Sequence, residues 1–187
     1  MRFDDFIARF LLTKQSNSKR IFANHLKHSA VLVPIINVGG EAHILLCKRP
    51  TYLKHHPGQI CFPGGKVEPE DDSYLATALR ECEEELAIPA QSVTILGQLS
   101  PRSTPTGFVI APIIATLPWP LEFTPNSNEV AATFTLPVAT LRDASQWQSM
   151  HVPTRQRLIE VNGMMTEQGL LWGATARIIH RLLKSIA

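Results

Sequence analysis

The sequence predicts an α/β or α+β domain in which a mixed β-sheet is sandwiched between α-helices. Apolar residues recur at spacings of three and four near both ends of the chain, which is typical of amphipathic helices. Short apolar runs rich in β-branched residues lie between these ends and indicate strands. A further amphipathic segment, Ser73–Leu86, interrupts the strands, so that helices and strands are interspersed along the chain.

The first third of the chain is expected to form a helix, a polar connector and a hairpin. The helix has its apolar residues at Phe3, Phe6, Ile7, Phe10 and Leu11. The remaining elements, in order, are the connector Gln15–Lys19, a strand Ser29–Val38, a turn at Gly39-Gly40 and a return strand Ala42–Arg49.

A helix preceded by a break in regular structure dominates the middle of the chain. Pro50–Pro57 reads as a loop and Gln59–Phe62 as a short apolar segment, after which Pro63-Gly64-Gly65 is expected to break regular structure. Pro89 marks the end of the helix Ser73–Leu86. Three residues are candidates to cap its first turn: Asp71, Asp72 and Ser73.

The last part of the chain is expected to complete the sheet and to add a closing helix. The predicted strands are Ser92–Leu99, Phe108–Thr116, Val130–Leu136, Arg157–Val161 and Gly169–Trp172, and the predicted helix is Ala174–Ile186.

Composition limits the classes of function. The 187 residues, 44% hydrophobic and 18% charged, fit one domain over 1–187, in which 1–28 form the N-terminal helix and connector. A net charge of +2 without a concentrated basic stripe argues against a nucleic-acid partner, whereas the basic stretches Lys48–Arg49 and Lys54–His56 suit a small anionic substrate. The odd number of cysteines, 3, indicates free thiols. With neither a signal peptide nor a membrane span in the pattern, we expect a cytoplasmic protein.

Three carboxylates on the central helix carry the chemical signal. Glu81, Glu84 and Glu85 stand at i, i+3 and i+4, so they project from one face and repel one another. A hard divalent cation relieves this repulsion, and Mg²⁺ binds oxygen ligands of this kind. Arg80 can pair with one of the carboxylates and fix its orientation.

The preceding Gly64-Gly65 strengthens this interpretation, because glycine lets the backbone approach a ligand closely. A phosphate-binding P-loop on Gly65-Lys66 is excluded, since Ile60 stands where its first glycine belongs and Val67 follows the lysine. The sequence also lacks the Gly-x-Ser-x-Gly pattern of serine hydrolases and the His-Glu-x-x-His pattern of zinc proteases.

Residues 64–88 resemble the Nudix box, whose pattern is Gly-x5-Glu-x7-Arg-Glu-U-x-Glu-Glu-x-Gly-U, with U aliphatic. The second half is occupied by Arg80, Glu81, Cys82, Glu84, Glu85 and Ile88. The spacing from Gly65 to Arg80 is one residue longer than the pattern, and Asp71 or Asp72 stands where the first Glu is expected. Ala87 replaces the last Gly, which usually supplies a left-handed helix cap.

The segment upstream resembles the extended signature of one Nudix subfamily, the coenzyme A diphosphatases, in which the longer spacing also occurs. The residues at the positions of this signature are Leu45, Leu46, Cys47, Arg49, Pro50, Lys54, Gly58, Ile60, Phe62, Pro63, Gly64, Gly65, Glu68 and Asp71. Pro50 and Lys54 stand where the signature has Ser and Arg. Leu171–Ala176 is similar to a further segment of that subfamily near the C terminus.

The resemblance implies a Nudix fold and metal-dependent hydrolysis of the diphosphate of coenzyme A, giving 4′-phosphopantetheine and adenosine 3′,5′-bisphosphate. Glu81 and Glu85 would be ligands of Mg²⁺ or Mn²⁺, with Glu84 a ligand or the partner of Arg80. The general base would be Glu129 or a carboxylate of the box.

The substrate-binding residues implied by the resemblance are Arg49 and Lys54 for the 3′-phosphate, together with Gly64 and Gly65. Another nucleoside diphosphate derivative, such as ADP-ribose or a dinucleotide, stays open as the substrate. A nucleotide sensor without catalysis stays open as well. The partner is expected to be this small molecule, without nucleic acid or membrane, and a homodimer is compatible with the sequence.

Overall fold

A computed structural model describes residues 1–13, 26–153 and 158–187. The predicted connector Gln15–Lys19 and the start of the predicted strand Arg157–Val161 lie outside the described residues.

The main sheet has eight strands and is mixed. The central pair, β1 (Lys27–Val38) and β7 (Phe108–Leu117), is parallel, and every other pairing is antiparallel. The other strands are β2 (Glu41–Lys48), β3 (Ile60–Cys61), β4 (Gly64–Lys66), β5 (Thr94–Gln98), β6 (Arg102–Ser103) and β8 (Ala132–Pro137). The order is β3-β2-β1-β7-β5, with β4 also on β1, β6 on β7 and β8 on β2.

Helices cover both faces of this sheet because its central strands are apolar on both sides. On one face, α1 (Phe3–Leu11), α3 (Val138–Arg142) and α4 (Gly173–Ser185) share a core cluster. On the other face, α2 (Tyr74–Leu86) packs through Tyr74, Ala78, Cys82 and Leu86. This arrangement confirms the predicted fold class. Among the described residues, no helix is long and apolar enough to cross a bilayer.

A small antiparallel sheet completes the described structure. It contains β9 (Gln148–Pro153), β10 (Leu158–Thr166) and β11 (Gly169–Leu171) in the order β11-β10-β9. The sequence had indicated parts of β10 and β11 but not β9, whose mostly exposed residues lack a long apolar run.

The expected break at Pro63-Gly64-Gly65 is wrong in one respect, because Gly64–Lys66 forms strand β4. The strand exists because Val31, Ala30 and Ser29 of β1 pair with Gly64, Gly65 and Lys66. The helix prediction is confirmed: the Ser73 hydroxyl accepts from the Ala76 amide at 3.1 Å and caps α2. Ala87 ends α2 in the left-handed conformation, with φ of 55°, although it carries a side chain.

Candidate active site

The two glycines of β4 allow this strand to lie against both β1 and α2. A Cβ atom on Gly64 would lie 2.6 Å from the Val31 Cα atom, and Gly64 has a φ of +153° that disfavours other residues. A Cβ atom on Gly65 would overlap the carboxylate of Glu81. Gly64 is therefore needed for the close approach of β4 to β1. Gly65 is needed to leave room for the carboxylate of Glu81 on the helix.

Glu85 is the most buried of the three candidate ligands on α2, with an exposed fraction of 2%. The amide of Gly64 donates a hydrogen bond of 3.2 Å to its Oε2 atom. Burial raises the pKa of Glu85 to about 8, and repulsion from Glu81 and Glu129 adds to this. The Gly64 amide and the positive charge of Arg49 act in the opposite direction on the same pKa.

Glu81 interacts with both Glu85, which it repels, and the guanidinium of Arg80, from which it accepts a hydrogen bond. Burial is the largest cause that raises the pKa of Glu81, and repulsion from Glu84 and Glu129 also raises it. Arg80 opposes this shift through its charge and through a hydrogen bond of 3.1 Å from Nη1 to Glu81 Oε1. The site thus holds several carboxylates whose negative charges the described residues neutralise only in part.

Arg80 joins the helix to the loop that precedes it. Its Nη1 also donates to Glu84 Oε2 at 3.1 Å, and its Nη2 donates to the carbonyl oxygen of Lys66 at 3.0 Å. Nε and Nη2 together hold Asp71. Glu84 is 54% exposed, so its carboxylate faces solvent while Arg80 sets its direction.

Asp71, rather than Asp72, lies against Arg80. The Asp71 carboxylate, itself 5% exposed, also accepts from the Thr77 hydroxyl and the Glu68 amide, both at 2.9 Å. The hydrogen bond from Arg80 is the main reason that the pKa of Asp71 falls to about 2. Asp72 instead accepts from the Ser73 hydroxyl, and it is exposed.

Glu129 lies close enough to Glu81 and Glu85 to raise the pKa of both. The turn that carries it is fixed to the end of α2, because the Asn126 amide donates to the Glu85 carbonyl at 2.8 Å. The Glu129 amide in turn donates to the Asn126 carbonyl at 2.9 Å. The structure therefore brings this downstream acid to the face of α2 that carries the glutamates.

The two candidate substrate-binding cations lie in different environments. Arg49 follows β2 and is half-buried beside Glu85 and Cys61, and it hydrogen-bonds the Cys61 thiol. Within the described part of the chain, its Nε atom is buried without a hydrogen-bond partner. Lys54 is exposed in the loop after β2, and no hydrogen bond or ion pair joins it to another described residue.

The donor chemistry of the site fits a hard divalent cation. Glu81 and Glu85 supply carboxylate oxygens, which Mg²⁺ and Mn²⁺ prefer, and the repulsion between them, to which Glu129 adds, favours a positive charge beside them. Across the described ranges, no three acidic, histidine or cysteine side chains form a ready-made metal cluster. Glu81 and Glu84 are hydrogen-bonded to Arg80, and Glu85 to Gly64, so these carboxylates would have to turn toward a bound ion.

Sequence reasoning missed two contacts of this site. The pairing of Asp71 with Arg80 joins residues nine apart, a spacing with no helical or strand periodicity. The position of Arg49 beside Glu85 depends on the packing of β2 over α2, which spacing along the chain does not reveal.

Comparison with known proteins identifies relatives along nearly the whole chain. A family model described as the NUDIX domain matches residues 26–157. An uncharacterized Nudix hydrolase, NudL, of Photorhabdus laumondii is 40% identical over 182 residues, which is 97% of this chain and 96% of that protein. The NudL protein of Yersinia enterocolitica is 39% identical over 97% of this chain and 92% of its own length.

Solved structures show the same fold at low identity. A Deinococcus radiodurans protein superposes with a TM-score of 0.57 at 15% identity, over 87% of this chain and 88% of that one. A binary complex of the Caenorhabditis elegans Ap4A hydrolase superposes with a TM-score of 0.51 at 21% identity, over 61% of this chain and 82% of that one.

Proposed function

The chain belongs to the Nudix hydrolase family, and from this membership we propose that it cleaves the diphosphate linkage of coenzyme A or of a coenzyme A derivative. Water would add across the P–O–P bridge, and the products would be 4′-phosphopantetheine and adenosine 3′,5′-bisphosphate. The family assignment supports hydrolysis of a nucleoside diphosphate derivative, and the choice of coenzyme A rests on the extended signature.

One contact supports the choice of coenzyme A. The Thr175 hydroxyl, near the start of α4, donates a hydrogen bond of 3.0 Å to the carbonyl oxygen of Ile60 in β3. This bond joins the upstream signature segment to the C-terminal segment Leu171–Ala176. The two stretches that resemble coenzyme A diphosphatases are therefore adjacent in the fold, as parts of one binding site should be.

The residues around Glu85 would have different roles in the hydrolysis. Glu81, Glu85 and Glu84 would hold the cation, and Gly64 would orient Glu85 through its amide. A bound Mg²⁺ or Mn²⁺ supplies polarisation of the phosphoryl oxygens and a lowered pKa for the attacking water. Arg80 would keep Glu84 in place, and Glu129 would accept the proton of the attacking water.

Arg49 would contact the diphosphate of the substrate, and not the 3′-phosphate that the resemblance implied, because its guanidinium lies beside Glu85 and its Nε atom is buried without a partner among the described residues. A guanidinium in this position can donate two parallel hydrogen bonds to phosphate oxygens. Lys54, on the exposed loop, would contact the more distant 3′-phosphate.

Product analysis tests this proposal. The purified protein is incubated with coenzyme A, ADP-ribose and a dinucleotide, with and without Mg²⁺ or Mn²⁺. We expect metal-dependent formation of 4′-phosphopantetheine and adenosine 3′,5′-bisphosphate, which Glu85→Gln abolishes. Glu83→Gln is the matched control, because Glu83 is an exposed carboxylate of the same helix.

Two results would change the proposal in different ways. Cleavage of ADP-ribose or the dinucleotide alone would keep the hydrolytic role and remove coenzyme A as the substrate. Binding of a nucleotide without cleavage of any substrate would favour a sensor that keeps the Nudix fold.

A further inference from the structure

A basic pocket lies on the face of the sheet opposite α2, between the end of β5 and the last turns of α4. It is open to solvent and has a volume of about 290 Å³. Its lining consists of Gln98, Leu99, Ser100, Arg181, Lys184 and Ser185. None of these lining residues is among those placed at the site around Glu85, and α2 packs in the cluster on the other face of the sheet, so this pocket is separate from that site.

Arg181 anchors the pocket by a hydrogen bond of 2.7 Å from Nη2 to the carbonyl oxygen of Ser100. This bond ties two of the lining residues, one on α4 and one after β5, and holds the guanidinium at the pocket. Partial burial lowers the pKa of Arg181, and repulsion from Arg102 on β6 lowers it further. Two guanidinium groups from different elements are thus close enough to repel each other.

No acidic residue compensates these charges from the segments that form the pocket. The stretches 86–121 and 168–187 contain no Asp or Glu, although they contain Arg102, Arg177, Arg181 and Lys184. Among the described residues, neither Arg102, Arg181 nor Lys184 takes part in an ion pair. Positive charge that is concentrated in a concave surface in this way favours the binding of an anion.

The dipole of α4 accounts for only part of this arrangement. Arg181 and Lys184 lie in the last turns of the helix, where cations interact favourably with its C-terminal carbonyl groups. Arg102, however, lies on an edge strand and has no such role. Its position near Arg181 costs electrostatic energy unless an anion lies between the two groups.

We propose that this pocket binds an oxyanion of the phosphate class, either free or as a phosphate monoester on a separate effector molecule. Arg181 and Lys184 of the lining would supply the positive charge, Arg102 would add to it from β6, and the Ser100 side chain would supply a further hydrogen-bond donor. The site is independent of the hydrolytic one, so its occupation and the reaction can be measured separately.

Titration of the ¹⁵N-labelled protein with inorganic phosphate, at ionic strength held constant with chloride, tests this site by NMR. We expect saturable shifts of the backbone amides of Ser100, Arg102 and Ser185. Arg181→Gln and Arg102→Gln should each weaken the affinity at least tenfold. The control Arg177→Gln removes an exposed cation from the same helix and should leave the affinity unchanged.

Arg102 is exposed, so Arg102→Gln keeps the test valid if Arg181→Gln fails to fold. Shifts that do not saturate, or an equal loss of affinity in Arg102→Gln and Arg177→Gln, would overturn the proposal.

A kinetic comparison tests whether the pocket is separate from the active site. The ratio of KM values for substrates with and without a terminal phosphate monoester should be the same in Arg102→Gln as in the wild type. A selective rise for the phosphorylated substrate would instead assign the pocket to the substrate.

Discussion

Arg80 holds Asp71 through two hydrogen bonds, from Nε to Oδ1 at 3.1 Å and from Nη2 to Oδ2 at 2.9 Å. The same guanidinium donates to Glu81 and Glu84 from its remaining nitrogen. Asp71 therefore fixes the group that orients two carboxylates of the proposed metal site, although Asp71 itself lies in the loop before α2.

Asp71→Asn should destabilise the fold and reduce activity. The amide cannot accept two charge-assisted hydrogen bonds from Arg80, so we expect a loss of about 2 kcal/mol in the free energy of unfolding. Urea denaturation measures this loss, and steady-state kinetics should show a lower kcat. Asp72→Asn is the control, because Asp72 is exposed, and its effect should stay within about 0.5 kcal/mol. Equal losses in the two variants would contradict the role of Asp71.

The contribution of Asp71 to stability should disappear in acid. Its pKa of about 2 in the folded protein lies below its ordinary value of 3.8, so its stabilisation is fully present above about pH 4 and is lost as the pH falls toward 2. The measurement is the difference in unfolding free energy between wild type and Asp71→Asn at several pH values. A difference that stays constant from pH 5 to pH 3 would show that the carboxylate is not stabilised in this way.

Gly65→Ala should strongly reduce activity while the protein stays folded. The three atoms nearest to the added methyl group are the carboxylate atoms of Glu81, which can rotate away, so we expect a kcat/KM about 100-fold lower with little loss of stability. Gly107→Ala is a control for which we expect the opposite result, a loss of stability without a loss of activity. Gly107 has open space around it but a φ of +81°, so this change should cost about 1 kcal/mol of stability and leave kcat/KM unchanged. Full activity of Gly65→Ala would mean that the position of Glu81 is unimportant.

Glu85→Gln should stabilise the metal-free protein at alkaline pH. The folded pKa of Glu85, about 8, exceeds its ordinary value of 4.5, so the folded state favours the neutral carboxyl group. The unfolding free energy of the metal-free wild type should therefore fall by about 3 to 4 kcal/mol between pH 5 and pH 8. Glu85→Gln should remove most of this fall, whereas Glu83→Gln should show it in full.

Thermal denaturation with added Mn²⁺ tests whether the carboxylate of Glu85 is a metal ligand. Wild type and Glu83→Gln should gain thermal stability as Mn²⁺ is added, because an ion that binds only the folded state stabilises it. Glu85→Gln should gain much less. An equal gain in all three proteins would place the bound ion elsewhere.

Arg49→Ala and Lys54→Ala should have different kinetic effects. Because Arg49 lies beside Glu85, its removal should lower kcat/KM on the order of 100-fold for coenzyme A and for ADP-ribose alike. Lys54 is exposed on the loop, so its removal should raise KM for coenzyme A alone, by roughly tenfold or less. A selective effect of Arg49→Ala on coenzyme A would instead assign the 3′-phosphate to Arg49.

The spacing of apolar residues along the sequence was sufficient to predict the helices and strands with strong periodicity. The helix Tyr74–Leu86 and the strands around Ile35 and Ile113 differ from the predicted bounds by two residues or fewer. The fold class followed from these elements, because an apolar strand such as β1 must be covered on both faces.

The missed elements are those whose pairing depends on distant residues. The residues Gly64–Lys66 are typical of a turn. They form a strand because their backbone pairs with the backbone of β1, which is distant in the sequence. Arg102–Ser103 is too short to show any periodicity. At the site, the spacing of Glu81, Glu84 and Glu85 indicated one helix face, but it could not show the burial that raises the pKa of Glu85 to about 8.

The parallel pairing of β1 with β7 also bears on how the chain folds during synthesis. Ile36 pairs with Leu117, so the two central strands are separated by about 80 residues, and contacts of such long range slow folding. Strand β1 leaves the ribosome well before its partner, with the apolar residues of both its faces uncovered. At about 5–20 residues per second, this interval lasts several seconds. The hairpin with β2 can form in that time and cover one edge of β1, whereas the other edge is open to chaperones or to aggregation until β7 is made.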